Sequence, residues 1–167
     1  MVTLQQLHKS AWDLYGNAGD QQRSFLFDFQ IADNGMTGLR SRPVGEESPL
    51  QSGQSYRLTC RFCPVRRIGR AAGQIIRKQY TVPAEEFPAW MCALLDRNGL
   101  ASTPTDIHRI LWQHFPFGRS KNQTMIATVF TEFTSTVKDE SLAAHAWGHG
   151  LGKMKAFGCG SLFLKGV

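Results

Sequence analysis

Several features common to ligand-binding and exported proteins are missing from this sequence. No glycine cluster ends in Gly-Lys-Ser/Thr. No strand runs into Gly-x-Gly-x-x-Gly at the opening of a helix, which argues against a mononucleotide or dinucleotide cradle. No apolar run is long enough to span a bilayer, so no membrane partner is expected. Met1 to Leu7 has neither a cationic lead nor an apolar stretch, so no secretory leader is expected either. Cysteine is scarce: Cys60 and Cys63 form a C-x-x-C, while Cys92 and Cys159 stand alone. Together these point to a cytoplasmic protein with reduced thiols. Acidic residues are also in deficit, 13 against 19 lysines and arginines, for a formal charge of +6. That balance fits a nucleic-acid partner without specifying one. Aromatics are not interleaved with the cations as on single-strand stacking platforms, which favours a duplex or hairpin ligand over an open strand.

What is present makes a folded protein. The 167 residues are 42% hydrophobic, enough for one domain or two small ones sharing a core. Leu4, Leu7, Ala11, Leu14 and Tyr15 recur at helical spacing behind Thr3 as N-cap, and Gly16 to Gly19 ends that helix. Phe25, Phe27, Phe29 and Ile31 alternate strictly, predicting a strand with one buried face. Asp33-Asn34-Gly35 signals a hairpin into a second strand, Thr37 to Val44, with Arg40 and Arg42 on one face. Gly45 to Gly53 reads as a linker. Beyond it come a strand (Tyr56 to Phe62), a helix bearing Phe87, Trp90, Met91, Leu94 and Leu95, and strands over Asp106–Phe115 and Thr124–Thr136. A helix capped by Asp139 or Ser141 and a last strand from Ser161 to Leu164 complete the pattern. The second half thus reads β-α-β-β-α-β, the ferredoxin-like order. The first half, α-β-β, is a partial version of the same unit. The expected fold class is α+β, with tandem ferredoxin-like domains built on antiparallel sheets and the N-terminal one reduced. The expected boundaries are residues 1–52 and 53–167.

The segment Gly148 to Gly160 packs glycines around Lys153 and Lys155. Glycine admits backbone conformations closed to other residues and lets a ligand approach the main chain. One reading is a helix end turning into the last strand. The other is a basic phosphate-contacting surface of amides and lysines. The two are compatible.

At this point the residues resemble a known family. Leu4-Gln-Gln-Leu-His8-Lys-Ser-Ala-Trp12 is similar to the L-x-x-L-H-x-x-x-W helix of the CRISPR precursor-RNA endoribonucleases of the CasE subfamily. Phe25-Leu-Phe27 resembles the strand that follows there, and Tyr56 to Pro64 their Y/F-R-L-x-A-N-P strand. Gly150-Leu-Gly152-x-x-Lys155-Ala-Phe-Gly158-Cys-Gly160-x-Leu162 is close to their glycine-rich ending. The resemblance spans nearly the whole chain in order. Three departures stand out. The chain opens on the histidine helix where family members have a strand first, and Gly45 to Gly53 replaces a helix and strand. Gln5 and Gln6 stand near where the family often has a tyrosine.

The resemblance implies two ferredoxin-like domains that bind the hairpin of a CRISPR repeat and cut at the 3′ base of its stem. Cleavage would be metal-independent, by attack of the 2′-OH on the adjacent phosphate. The product would carry a 2′,3′-cyclic phosphate, and the enzyme would remain as a subunit of a multiprotein effector complex. The alternative is a non-catalytic hairpin-binding subunit of such a complex. No cofactor is implied.

His8 is the expected catalytic group, since imidazole serves as base or acid near neutral pH. Lys155 and Lys153 are expected to stabilise developing phosphate charge, with Lys9 beside His8. Arg66, Arg67, Arg70, Arg77 and Lys78 form the densest basic run, either a solvated loop or a contact to A-form RNA. Arg119 and Lys121 at a hairpin tip, with Arg40, Arg42 and Arg61, complete the expected RNA-contacting set. Cys60, Cys63, His145 and His149 would make a zinc set only across a long sequence separation. Small core residues are the plainer account of the cysteines. Glu46-Glu47 and Glu85-Glu86 read as solvated charges.

Overall fold

A computed structural model describes residues 2–16, 23–31, 37–67, 79–118 and 123–166. Helix α1 (Leu4–Tyr15) starts where expected. The Thr3 hydroxyl accepts from the Gln6 N–H at 3.1 Å, and Gln6 Oε1 accepts from the Thr3 N–H at 2.8 Å. This closed capping box satisfies two amides that the helix itself leaves open. Strands β1 (Phe25–Ile31) and β2 (Thr37–Pro43) pair antiparallel from Phe25↔Pro43 to Ile31↔Thr37. The turn between them, with Asp33-Asn34-Gly35, lies outside the described residues.

The second half follows the expected order with additions. Strand β3 (Ser55–Phe62) is followed by a short ribbon of β4 (Val65–Arg67) with β5 (Gln79–Thr81), the two strands that bracket the basic run. Then come α2 (Phe87–Asp96), the two-residue β6 (Leu100–Ala101), β7 (Ile107–Phe117), β8 (Thr124–Val137), α3 (Glu140–His149) and β9 (Phe163–Leu164). β9 pairs with β3, β3 with β8, and β8 with β7, all antiparallel; β6 extends the β7 edge of β8. That is the ferredoxin-like strand order. Leu58, Cys60 and Phe62 of β3 and Val129 and Phe133 of β8 meet Phe87, Met91 and Leu95 of α2 and Ala143, Ala146 and Trp147 of α3 in one buried cluster.

A second cluster joins the two halves. Leu4, Leu7 and Ala11 of α1 cover Phe25, Phe27 and Phe29, and the cluster extends to Phe115, Phe117 and Ile126 of the β7–β8 hairpin and to Met154 and Phe157. Here the expectation for β1 is corrected. Phe25 through Phe29 are all buried, not one face only. Helix α1 covers the phenylalanine face, and the other half of the chain receives Asp28.

The segment 45–53 is not a free linker. The Gly45 N–H donates to the Gly148 carbonyl at 2.9 Å, and the Gly53 N–H to that of Val137 at 2.8 Å. Leu50 inserts into the first cluster, and the Tyr56 hydroxyl bridges Pro49 and Gln51. Among the described residues, no helix is long and apolar enough to cross a membrane.

Candidate active site

The glycine-rich ending folds back onto α1. A 3-10 turn, Lys155–Phe157, carries the contact. Its geometry needs the residues around it. Met154 is left-handed at φ 59° and Gly158 at φ 80°. A Cβ on Gly158 would stand 2.9 Å from the rings of Phe27 and Phe29, and one on Gly160 would stand 1.9 Å from the Leu151 carbonyl. These glycines therefore let the turn lie against β1 and against its own start, which is the close-approach role.

On that turn, the carbonyl of Ala156 lies 2.5 Å from His8 Nδ1, joining residues 148 apart in sequence. Only a protonated nitrogen donates to a carbonyl, so the Nδ1–H tautomer is selected and the neutral ring keeps its lone pair on Nε2. The Phe157 ring sits 5.1 Å and the Trp12 ring 6.2 Å from the imidazole, walling it on two sides. The adjacent carbonyl, of Lys155, accepts from the Arg23 guanidinium. Two neighbouring carbonyls of the turn are thus tied to the first half of the chain by two cations or potential cations. Burial and then the charge of Arg23 push the Lys155 amine below its ordinary range, and burial lowers Arg23 itself. Arg23 escaped the sequence reading; the only signal for it was a lone cation at the entry of an apolar strand.

The other expected cations divide sharply. Arg61 does not face solvent. It is 1% exposed, its Nε 3.3 Å from Asp28, its Nη1 2.7 Å from Gln113 and 3.2 Å from Thr128, its Nη2 2.8 Å from the Phe29 carbonyl, and its plane 4.0 Å over the Phe29 ring. Arg42 is also turned inward. It lies 4.0 Å over Trp147 and donates to that residue's carbonyl, with Glu46 at 3.7 Å, and burial pulls its pKa down to about 10. Arg40 bonds Asp28 at 2.9 Å and Thr59 at 2.5 Å over Phe163. Arg40 and Arg42 share a face as expected, and the second half covers that face at Arg42 while leaving the Arg40 side chain 34% exposed. Arg61 and Arg42, expected among the RNA contacts, are thus internal: both are buried, Arg61 with its guanidinium held by protein acceptors and Arg42 with one donor on the Trp147 carbonyl and its plane over that ring.

Lys9 is exposed on α1 at a groove of about 720 Å³ that reaches Leu39. Lys153 is half-buried, and its charge partly opposes the burial that raises Cys63 to about 11. Arg66 pairs with Glu86, so Glu86 is not a merely solvated charge. Hydrogen bonding to Tyr80 and then to Glu86 raises the Arg66 pKa. Glu46, near Arg42, is likewise engaged. For Arg67 only the strand pairing is described. Arg70, Arg77, Lys78, Arg119 and Lys121 lie outside the described residues. Cys60, Cys63 and Cys159 are buried. Among the described residues, no three metal-ligating side chains converge.

The family described as CRISPR associated protein matches residues 32–165. Comparison with curated proteins finds no match. Among solved structures, the CRISPR-associated protein Cas6e from Escherichia coli str. K-12 is 21% identical with a TM-score of 0.67, over 99% of this chain and 93% of that one. Thermus thermophilus Cse3 bound to an RNA representing a pre-cleavage complex is 20% identical with a TM-score of 0.62, over 98% and 89%. A chain of a CRISPR RNA-guided surveillance complex is 20% identical with a TM-score of 0.61, over 98% and 93%.

Proposed function

Since the chain belongs to the CRISPR-associated protein family matched by residues 32–165, we propose that it is a metal-independent endoribonuclease. On this reading it binds the hairpin of a CRISPR repeat, cleaves precursor CRISPR RNA, and stays with the product as a subunit of an RNA-guided effector complex. The reading is supported by neighbours of the same fold, one bound to RNA and one within a surveillance complex. The observation that carries it is the meeting of His8 with the Lys155 turn. A histidine whose tautomer is set by the Ala156 carbonyl is docked on the same short turn that begins with the half-buried Lys155, at the seam of the two halves.

In this reading the 2′-OH of the nucleotide before the cut attacks its own phosphorus, and the P–O5′ bond breaks. The 2′-OH proton leaves and the 5′ oxygen receives one, giving a 2′,3′-cyclic phosphate and a 5′-OH. His8 Nε2 performs one of these two transfers. Lys155 offsets the charge that builds on the phosphoryl oxygens. Exposed Lys9 and the cations of the 65–81 segment grip the RNA backbone. The proposed division is a reduced N-terminal domain, 1–52, carrying the histidine, and a C-terminal domain, 53–167, carrying the lysine.

The test is incubation of the protein, in EDTA, with labelled RNA of the repeat from its own genomic locus. A single cut at the 3′ base of the hairpin with a cyclic phosphate end is expected. His8→Ala should lower the rate by about 10² to 10⁴-fold while hairpin affinity stays nearly unchanged. Tight binding by the wild type with no cut would overturn the nuclease reading and leave a hairpin-holding subunit.

A further inference from the structure

Helix α3 ends in a feature that the proposed chemistry does not use. His145 and His149, one turn apart, are both exposed, and their rings stack with centroids 4.4 Å apart at 17°. His149 Nδ1 lies 3.2 Å from the His145 carbonyl. A carbonyl only accepts, so the Nδ1–H donates and the neutral ring has its lone pair on Nε2, on the far side from the helix backbone. This is the usual arrangement of a metal-ligating histidine, one nitrogen on the ion and the other N–H on a carbonyl. The C-x-x-C has no share in it, because Cys60 and Cys63 are buried in the core.

We infer that His145 and His149 form a two-imidazole site for a divalent first-row transition ion of the zinc, nickel and copper group. Imidazole suits these ions. Metal–nitrogen distances of about 2.0–2.1 Å put two neighbouring ligand nitrogens about 3 Å apart. The His145 ring reaches that spacing by rotating about χ2, a broad torsion for histidine, while the His149 ring keeps its Nδ1–H on the His145 carbonyl. Solvent supplies the remaining positions, as the exposure of both rings allows. The ion links residue 145 to residue 149 across the last turn of α3. That turn closes with the Gly150 N–H on the Ala146 carbonyl at 2.8 Å, and the glycine-rich segment leaves it at Gly150 with φ 77°. Occupancy therefore braces the helix end from which that segment departs. The site stands on α3 alone and does not depend on the nuclease reading.

The experiment is calorimetric titration of tag-free, EDTA-stripped and dialysed protein with Ni²⁺, and separately with Zn²⁺. His145→Gln, His149→Gln, their combination and, as control, His114→Gln on β7 are compared, with circular dichroism confirming that each is folded. One ion per chain is expected. Affinity should fall roughly tenfold or more in each single variant, the size of effect that loss of even an outer-shell partner produces. His114→Gln should bind as wild type, and a Ni²⁺-dependent rise in melting temperature should vanish in the combined variant. No binding by the wild type, or an unchanged isotherm in the combined variant, overturns the assignment.

Discussion

Replacing Arg61 with methionine separates an internal arginine from a nucleic-acid contact. The substitution keeps most of the side-chain volume and removes the guanidinium. Asp28, fully buried, then keeps Arg40 alone as a cationic partner among the described residues. Gln113, Thr128 and the Phe29 carbonyl each lose a donor, and the Phe29 ring loses its stacked cation. Removing one member of a buried ion pair costs about 3–5 kcal/mol, because the remaining charge stays desolvated. At about 2–4 °C per kcal/mol for a chain of this size, the melting temperature should fall by about 6–20 °C. Urea unfolding followed by tryptophan fluorescence measures the loss directly. Adding Asp28→Leu should recover part of it, since the stranded carboxylate is then gone. A surface arginine that met phosphate would behave in the opposite way. Its loss would change stability by no more than about 0.5 kcal/mol and would flatten the salt dependence of RNA binding by about one unit. A stable Arg61→Met with weakened, less salt-sensitive RNA binding would refute the reasoning.

Three further outcomes follow from the same structure. Arg23→Gln should lower the single-turnover cleavage rate by roughly tenfold to a hundredfold through misplacement of the Lys155 turn. Hairpin affinity should hold and Arg23→Lys should recover part of the rate; weaker RNA binding at an unchanged rate would place Arg23 on the RNA instead. Gly158→Ala forces a left-handed backbone onto a side chain and a methyl against Phe27 and Phe29. It should cost about 1–3 kcal/mol in denaturant unfolding, and an unchanged midpoint would show that the turn is not held against β1. Glu132 is held below its ordinary range chiefly by Lys165 at 2.8 Å and also by Arg57 at 2.5 Å. A depressed carboxyl pKa adds stability that is fully present above its unfolded value, about 4.3, and is lost as pH falls through the folded value. Melting curves between pH 5 and pH 2 should therefore drop more steeply for wild type than for Glu132→Gln; parallel curves would contradict the pairing.

Much of the architecture was legible because it rests on short-range periodicity. The 3.6-residue spacing of Leu4, Leu7 and Ala11 behind Thr3, and the β-α-β-β-α-β order after residue 53, both appear in the structure within a few residues of the expected ends. Periodicity reports which residues share a face. It does not report what covers that face. Arg40, Arg42 and Arg61 therefore read as RNA-facing cations. Only the docking of β1–β2 against β3, β9 and α3 brought Asp28 and the arginines together and made each other's burial tolerable. The segment 45–53 was misread for a similar reason: a strap rich in glycine, serine and proline looks like a spacer until its amides meet carbonyls distant in sequence.

By itself, the sequence determined the basic balance, the paired helices and strands, the histidine at the centre of α1 and the glycine-rich ending. Each is a property of composition or of neighbours a few residues apart. Tertiary structure alone decided that His8 meets the turn that carries Lys155, that Arg23 binds the same turn, and that Arg42 and Arg61, expected to face RNA, are buried inside the protein. Contacts between residues 148 apart have no local signature. The contact of His8 with the turn exists because Gly158 lets that turn press against β1 and Gly160 lets the chain close on Leu151; Arg40 and Arg61 are held by a buried Asp28.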